Sequence, residues 1–129
     1  VDAVSYRLPL PDDVSFIYAT FLKGLRHGNT VNRALPSRVF YPRFHDKLTA
    51  ILESPGTVVT VACLTEAPEI ILGYSVTSQD TLHCIYVKKA YRSAGIGRKL
   101  LPPAVKRVSF ATDAFSKVLA ELGITVEEP

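Results

Sequence analysis

Thr81-Leu82-His83-Cys84-Ile85-Tyr86-Val87 leads through Lys88-Lys89-Ala90-Tyr91-Arg92-Ser93-Ala94 into Gly95-Ile96-Gly97-Arg98-Lys99-Leu100-Leu101, and this stretch decides how the chain is organised. Its first part is apolar and β-branched enough for a strand, with Ser78-Gln79-Asp80 supplying the turn before it. Alternation puts Thr81, His83, Ile85 and Val87 on one face and Leu82, Cys84 and Tyr86 on the other. Gly95 and Gly97 then open a helix containing Ile96, Leu100 and Leu101. Exposed amides at a helix start, with the positive end of the dipole, favour an anion such as a phosphate. Glycine lets the backbone approach that anion closely, and Arg92, Arg98 and Lys99, with Lys88 and Lys89 nearby, add fixed positive charge. As bare spacing, Gly-Ile-Gly is also compatible with a tight turn between solvated basic flanks. It is not a P-loop, because no Gly-Lys-Ser/Thr follows, nor a dinucleotide fingerprint, because the third glycine is missing.

Upstream of this segment, Val4 to Leu8 alternate as a strand, and Pro9, Pro11 and Asp12-Asp13 stop it and offer a cap. Val14, Ile17, Tyr18, Phe21, Leu22 and Leu25 recur at helical spacing, and Gly24 and Gly28 are expected to end that helix. Arg26 to Arg43 is basic and broken by Pro36 and Pro42, which predicts a loop. A second helix carries Phe44, Leu48, Ile51 and Leu52 on one face. Thr57 to Leu64 and Glu69 to Val76 form a hairpin, with Gly73 weakening or bulging its second strand.

Downstream, Pro102-Pro103 ends or restarts the glycine-opened helix. Arg107 to Ala111 is a short strand, Asp113 to Leu122 an amphipathic helix closed by Gly123, and Ile124 to Glu127 a last strand. The order β α α β β β α β α β gives an α/β fold, a mixed sheet of about six strands flanked by about four helices, because a strand-helix-strand crossover joins parallel neighbours.

At 129 residues and 47% hydrophobic content, residues 1–129 are expected to form a single domain with its own core. Cys63 and Cys84 sit in apolar runs without metal or redox spacing and are expected to be core residues of a reducing compartment. No run approaches the roughly 18 to 20 apolar residues that span a bilayer, and no basic-then-apolar leader opens the chain, so a cytoplasmic protein without a membrane partner is expected. A formal charge of +3 suits an anionic ligand or a nucleic acid equally well.

Taken together, Ile85-Tyr86-Val87 and Arg92-Ser93-Ala94-Gly95-Ile96-Gly97-Arg98 followed by a leucine-rich helix closely resemble the acetyl-CoA motif of GNAT (GCN5-related) N-acetyltransferases. The resemblance implies the GNAT fold and a single acetyltransferase domain. It implies that the amides of Ser93 to Arg98 hold the pyrophosphate of acetyl-CoA, helped by Arg92, and that Ile85 to Val87 pair with the pantetheine arm. It also implies a bulged strand that splays from the next one to make room for the thioester. Two departures stand out. Many members carry a tyrosine on the last helix that protonates the departing thiolate, and Leu119 stands at that place here. Pro102-Pro103 shortens or kinks the helix after the turn.

An alkylammonium acceptor must lose a proton before it attacks the thioester. Thr81 to Val87 resembles the corresponding strand of arylalkylamine N-acetyltransferases, which implies that His83 serves in proton removal; its ordinary pKa suits that task. The plain alternative is a half-buried strand histidine with a backbone partner. His27 and His45 have no acidic or cysteine partner at metal spacing, so no metal is expected. Arg26, Arg33, Arg38 and Arg43 are expected to be a solvated surface, although the resemblance implies that the first two helices and their loop line the acceptor cleft.

The expected activity is direct acetyl transfer from acetyl-CoA, as cosubstrate, to an amine acceptor, either a small molecule or a protein N-terminus or lysine, by a monomer or homodimer. A CoA-binding or interaction module of the same fold with weak or no turnover is the alternative. A basic RNA-binding domain ranks last, and nucleic acid is not an expected partner, because no aromatic-glycine RNA-binding signature is present.

Overall fold

The computed structural model describes residues 3–91, 95–102, 105–110 and 125–126. In chain order its elements are β1 (Val4–Arg7), α1 (Asp13–His27), α2 (Thr30–Ala34), α3 (Ser37–Glu53), β2 (Thr57–Leu64), β3 (Ile71–Ser78), β4 (Thr81–Val87), α4 (Ile96–Leu100), β5 (Arg107–Val108) and β6 (Thr125–Val126). The strands form one sheet in the order β1-β2-β3-β4-β5-β6. It is antiparallel from β1 to β4 and parallel from β4 to β6, the mixed α/β sheet that the element order predicts.

Each face of the sheet is covered by helices. α1 and α3 bury Ile17, Phe21, Leu25, Phe40, Phe44 and Leu48 against Val61, Tyr74 and Val76. α4 buries Ile96 and Leu100 against Ala62 and Leu72 on the other side. β3 therefore lies in the middle, buried from Ile71 to Thr77, which explains why it is continuously apolar or small rather than alternating.

The segment expected to be a loop between the first two long helices is largely helical. Asn29 caps α2 by accepting a bond from the Asn32 amide at 3.0 Å. α3 begins at Ser37 and contains Pro42. A proline in a helix interior costs about 3 kcal/mol, but Phe40, Phe44 and Leu48 are all buried at one-turn spacing, and each buried side chain of that size returns about 1.5–3 kcal/mol. Packing outweighs the local breaker. In the same way, α1 runs through Gly24 and stops at Gly28, whose amide donates to the Gly24 carbonyl.

A part-buried ion pair ties the edge strand to α1. Arg7 Nη1 donates to Asp13 Oδ2 at 2.6 Å, and its Nη2 donates to the Pro68 carbonyl at 2.8 Å. The Leu10 amide also donates to Asp13. The Arg7 guanidinium accordingly holds the Asp13 carboxyl below the usual carboxylate range.

The β2–β3 and β3–β4 ladders each carry one irregularity. The first falls where Ala62 pairs with Gly73 and Cys63 with Ile71, next to the glycine that the sequence marks. The second falls where Val76 pairs with Cys84 and Thr77 with Leu82, which leaves His83 as the extra residue of β4.

Gly73 is needed for space. A Cβ there would lie 2.4 Å from the Tyr86 carbonyl oxygen and 3.2 Å from the Val87 Cα, both of them backbone atoms that move only if β4 moves. Gly73→Ala is expected to destabilise the protein by about 1–3 kcal/mol, the usual cost of overpacking. A denaturant melt with an unchanged midpoint would show that β3 and β4 are not locked as described.

Candidate functional site

β4 and β5 pair only at Thr81 with Arg107 and Leu82 with Val108. One more backbone bond, from the Ser109 amide to the Leu82 carbonyl at 3.1 Å, follows. Beyond it β4 continues to Val87 with no further rung to β5 among the described residues. The Lys88 amide bonds the Leu72 carbonyl, so by antiparallel alternation the backbone groups of Ile85 face away from β3, toward the β5 side. Among the described residues, the end of the β4–β5 pairing makes a wedge at Ser109 and Phe110, with one edge of β4 beside it; the residues directly after Phe110 lie outside the described ones.

α4 sits beside this wedge. Gly95 precedes it in the left-handed region at φ 79°, a conformation that favours glycine. Gly97 differs. A Cβ there would meet only the Val87 Cγ2 at 3.7 Å, an ordinary contact, so packing does not require glycine at 97. Of the residues expected to bind the cofactor, Ile85, Tyr86, Val87, Gly95, Ile96, Gly97 and Arg98 are described; Ile85, Val87, Ile96 and Gly97 come together beside Leu100, whereas the Tyr86 side chain packs on the α1 and α3 side. Ile96 is buried in the core, so its side chain packs and only its backbone faces the turn. Arg92, Ser93 and Ala94 lie outside the described residues, as do Pro103, the helix expected at 113–122 and Leu119 within it.

The bulge at His83 breaks the expected alternation. Leu82, expected opposite Ile85, packs with Ile85, Leu101, Val105 and Val108, while Cys84 and Tyr86 face α1 and α3. His83 bridges the top of the wedge. Its Nδ1 lies 2.7 Å from Ser109 Oγ and its Nε2 lies 3.1 Å from Ser78 Oγ. Ser78 Oγ in turn lies 3.0 Å from Thr57 Oγ1, which donates to the Ile51 carbonyl of α3 at 2.7 Å. The partners expected for a plain strand histidine were backbone groups; those present are hydroxyls. Burial pushes the imidazole below the ordinary histidine pKa. Ser109, Ser78 and Thr57 carry no sequence signal, since they join His83 from other strands only once the sheet is formed.

The α1 side of β4 is aromatic. Tyr86 stacks on Tyr74 and meets the edge of Phe16, and Lys88 Nζ lies 5.5 Å over the Phe16 ring. Tyr74 and Cys84 are pushed above their ordinary pKa values by burial, so neither is placed for proton transfer near neutrality. In the basic segment, Arg26 bonds Ser37 and the Leu35 carbonyl and lies over Phe40 and Tyr41, while Arg33 bonds the His27 carbonyl. Both brace the corner between α1 and α3, a structural task the sequence did not suggest; Arg38 and Arg43 are exposed. His27 is also exposed, and the exposed His45 stacks on Tyr18. Among the described residues no cluster of three His, Cys, Asp or Glu side chains could hold a metal ion, and no helix is long and apolar enough to cross a membrane.

No protein-family model matches the sequence, and no curated protein sequence does. Solved structures do match the fold. An acetyltransferase from Trypanosoma brucei is 20% identical with a TM-score of 0.53, over 98% of this chain and 96% of that one. AAC(6')-Iy, solved with the bisubstrate analogue CoA-S-monomethyl-acetylneamine, is 14% identical with a TM-score of 0.54, over 95% of this chain and 90% of that one. Apo YjaB from Escherichia coli is 17% identical with a TM-score of 0.52. That match covers 76% of this chain, which spans 61% of the YjaB chain. The chain thus has the fold of the GNAT acetyltransferases, as expected; at these identities the likeness is one of fold.

The depressed pKa of His83 has a consequence for stability. The unfolded chain, with an ordinary histidine pKa of about 6.5, takes up the proton first, so this contribution is complete above about pH 6.5 and is lost as pH falls through the lower folded value. Melting temperature is expected to fall as pH is lowered from about 7 toward 5, less steeply in His83→Gln. Parallel slopes for the two proteins would show that His83 titrates as freely in the fold as out of it.

Proposed function

We propose that the protein is an acetyl-CoA-dependent N-acetyltransferase. The observation that carries this reading is the wedge between β4 and β5, flanked by α4 and its glycine turn, in a fold shared with acetyltransferases. Acetyl-CoA would lie with its pyrophosphate on the backbone of residues 92–98, Arg92 and Arg98 offsetting its charge, and its pantetheine arm along Ile85 to Val87. That an enzyme of this fold is held with a CoA-linked bisubstrate analogue fits such a mode.

In direct transfer the acetyl carbonyl, polarised by a β4 amide near Ile85, is attacked by a neutral amine. His83, at the top of the wedge and neutral near pH 7 because burial disfavours its charged form, takes the amine proton. The thiolate then leaves with help from solvent, since the residue expected to donate a proton, at position 119, is leucine. The acceptor is an amine that enters from the α1 side, past Phe16 and Tyr86. A CoA-binding module without turnover is the second reading, favoured by that leucine.

Gly97→Ala separates folding from binding. Its Cβ has room in the protein, beside Val87, so the melting temperature should change little, while a methyl group there, where the pantetheine arm would run, should weaken acetyl-CoA in calorimetry. Unchanged affinity would remove Gly97 from the cofactor site. His83→Gln is expected to lower turnover by about 10²- to 10⁴-fold with little change in acetyl-CoA affinity. A panel of small amines, polyamines, aminoglycosides and peptide N-termini, followed by thiol release, tests turnover itself; binding without release from any of them supports the module.

A further inference from the structure

The hydrogen-bond chain through His83 has a direction. Thr57 Oγ1 spends its single proton on the Ile51 carbonyl, 2.7 Å away, because a carbonyl can only accept. The 3.0 Å bond between Thr57 and Ser78 must therefore be donated by Ser78. With that proton committed, Ser78 Oγ can only accept from His83, so Nε2 carries the hydrogen across the 3.1 Å contact. A neutral imidazole has one N–H, which leaves Nδ1 bare, and the Ser109 hydroxyl donates to it at 2.7 Å.

Both ring nitrogens are thus occupied, and an acceptor amine that approached Nδ1 directly would first have to displace Ser109. Ser109 is itself 7% exposed and lies directly after β5, and its amide makes the last backbone bond between β5 and β4 before they part. Its hydroxyl stands at the apex of the wedge.

We propose that Ser109 is a catalytic proton relay between the acceptor amine and His83, and that Ser78 and Thr57 are positioning residues that set its direction; this rests on the acetyltransferase reading. As the amine attacks, its proton passes to Ser109 Oγ while the Ser109 proton passes to His83 Nδ1. No bond to carbon changes on the enzyme, and serine is regenerated. The imidazolium then donates from Nδ1 to Ser109 and from Nε2 to Ser78, and later releases its proton to solvent. The low intrinsic basicity of the ring favours that release.

The test has a spectroscopic and a kinetic arm, both on the full chain. With ¹⁵N-labelled histidine, long-range proton–nitrogen correlation should show His83 as the Nε2–H tautomer. Ser78→Ala should mix the tautomers, whereas Ser109→Ala should leave Nε2–H in place. In thiol release from acetyl-CoA, with phenylethylamine, spermidine and an alanine-initiated peptide as acceptors, Ser109→Ala should lower kcat by about 10²-fold, the lower range for a positioned acid or base. The KM for acetyl-CoA should hold, and Ser109→Thr, which keeps a hydroxyl, should recover much of the loss at a similar melting temperature. A wild-type Nδ1–H tautomer, or a folded Ser109→Ala protein with wild-type kcat, overturns the relay alone. A wild type that binds acetyl-CoA but releases no thiol with any of the three amines overturns the transferase reading and the relay's use with it.

Discussion

The end of the β4–β5 pairing after Leu82 and Val108 is the constraint on which the described features around β4 depend. β4 and β5 pair at only two positions, with the Ser109–Leu82 bond after them, so each strand is also held by its other neighbours. β4 is held by β3, through a ladder from Thr81 to Val87 and the Lys88 bond beyond it. β5 is held by its pairing with β6, at Arg107 with Thr125 and Val108 with Val126, and by packing, with Val108 buried beside Leu82 and Val105. The bare Cα of Gly73 lets β3 approach the Tyr86–Val87 backbone more closely than a side chain would allow.

The two faces of the sheet are built for different tasks. On the α1 and α3 side, phenylalanines and tyrosines interlock through edge and stacked contacts, from Phe40 and Phe44 to Phe21 and Phe110. Aromatic pairs of this kind add about 0.5–1.5 kcal/mol beyond the area they bury. Arg26, clamped over Phe40 and Tyr41 while bonding Ser37 and Leu35, closes the corner at which α1 gives way to α3. On the opposite side α4 is only five residues long and covers the sheet with small contacts to Ala62 and Leu72.

Much of this was legible in the sequence wherever one periodic signal acted alone. Thr57 to Leu64 forms the strand its β-branched residues predict, and α1 follows the spacing of Ile17, Phe21 and Leu25. Legibility failed where two signals opposed each other. Pro36 and Pro42 argued for a loop, yet Pro36 directly precedes α3 and Pro42 is carried inside it by the burial of Phe40 and Phe44. Strand β3 is displaced toward its C-terminal end relative to expectation, because the Thr57–Ser78 pairing extends the hairpin past Val76. The site divides along the same line. The glycine turn and the apolar strand are contiguous and could be found, whereas the environment of His83 is assembled from residues far apart in the chain, and its bulge depends on a register that no local pattern encodes.

That environment also bears on the proposed role of His83 as a base. A carboxylate against Nε2 would stabilise the imidazolium and raise the pKa, as it does where a charged partner orients a histidine. His83 has hydroxyls at both nitrogens instead. A hydroxyl brings no net charge, so burial is left as the dominant influence and the ring stays neutral near pH 7. Hydroxyls can nevertheless reverse roles. Ser109 donates to a neutral ring and accepts from a protonated one, so the imidazolium, once formed, still has an acceptor for each N–H. Orientation comes from the Ile51 carbonyl, two hydroxyls away, and not from a charge beside the ring. The histidine is thus held in one direction without being biased toward its charged form, which is the condition a base at the apex of the wedge must meet.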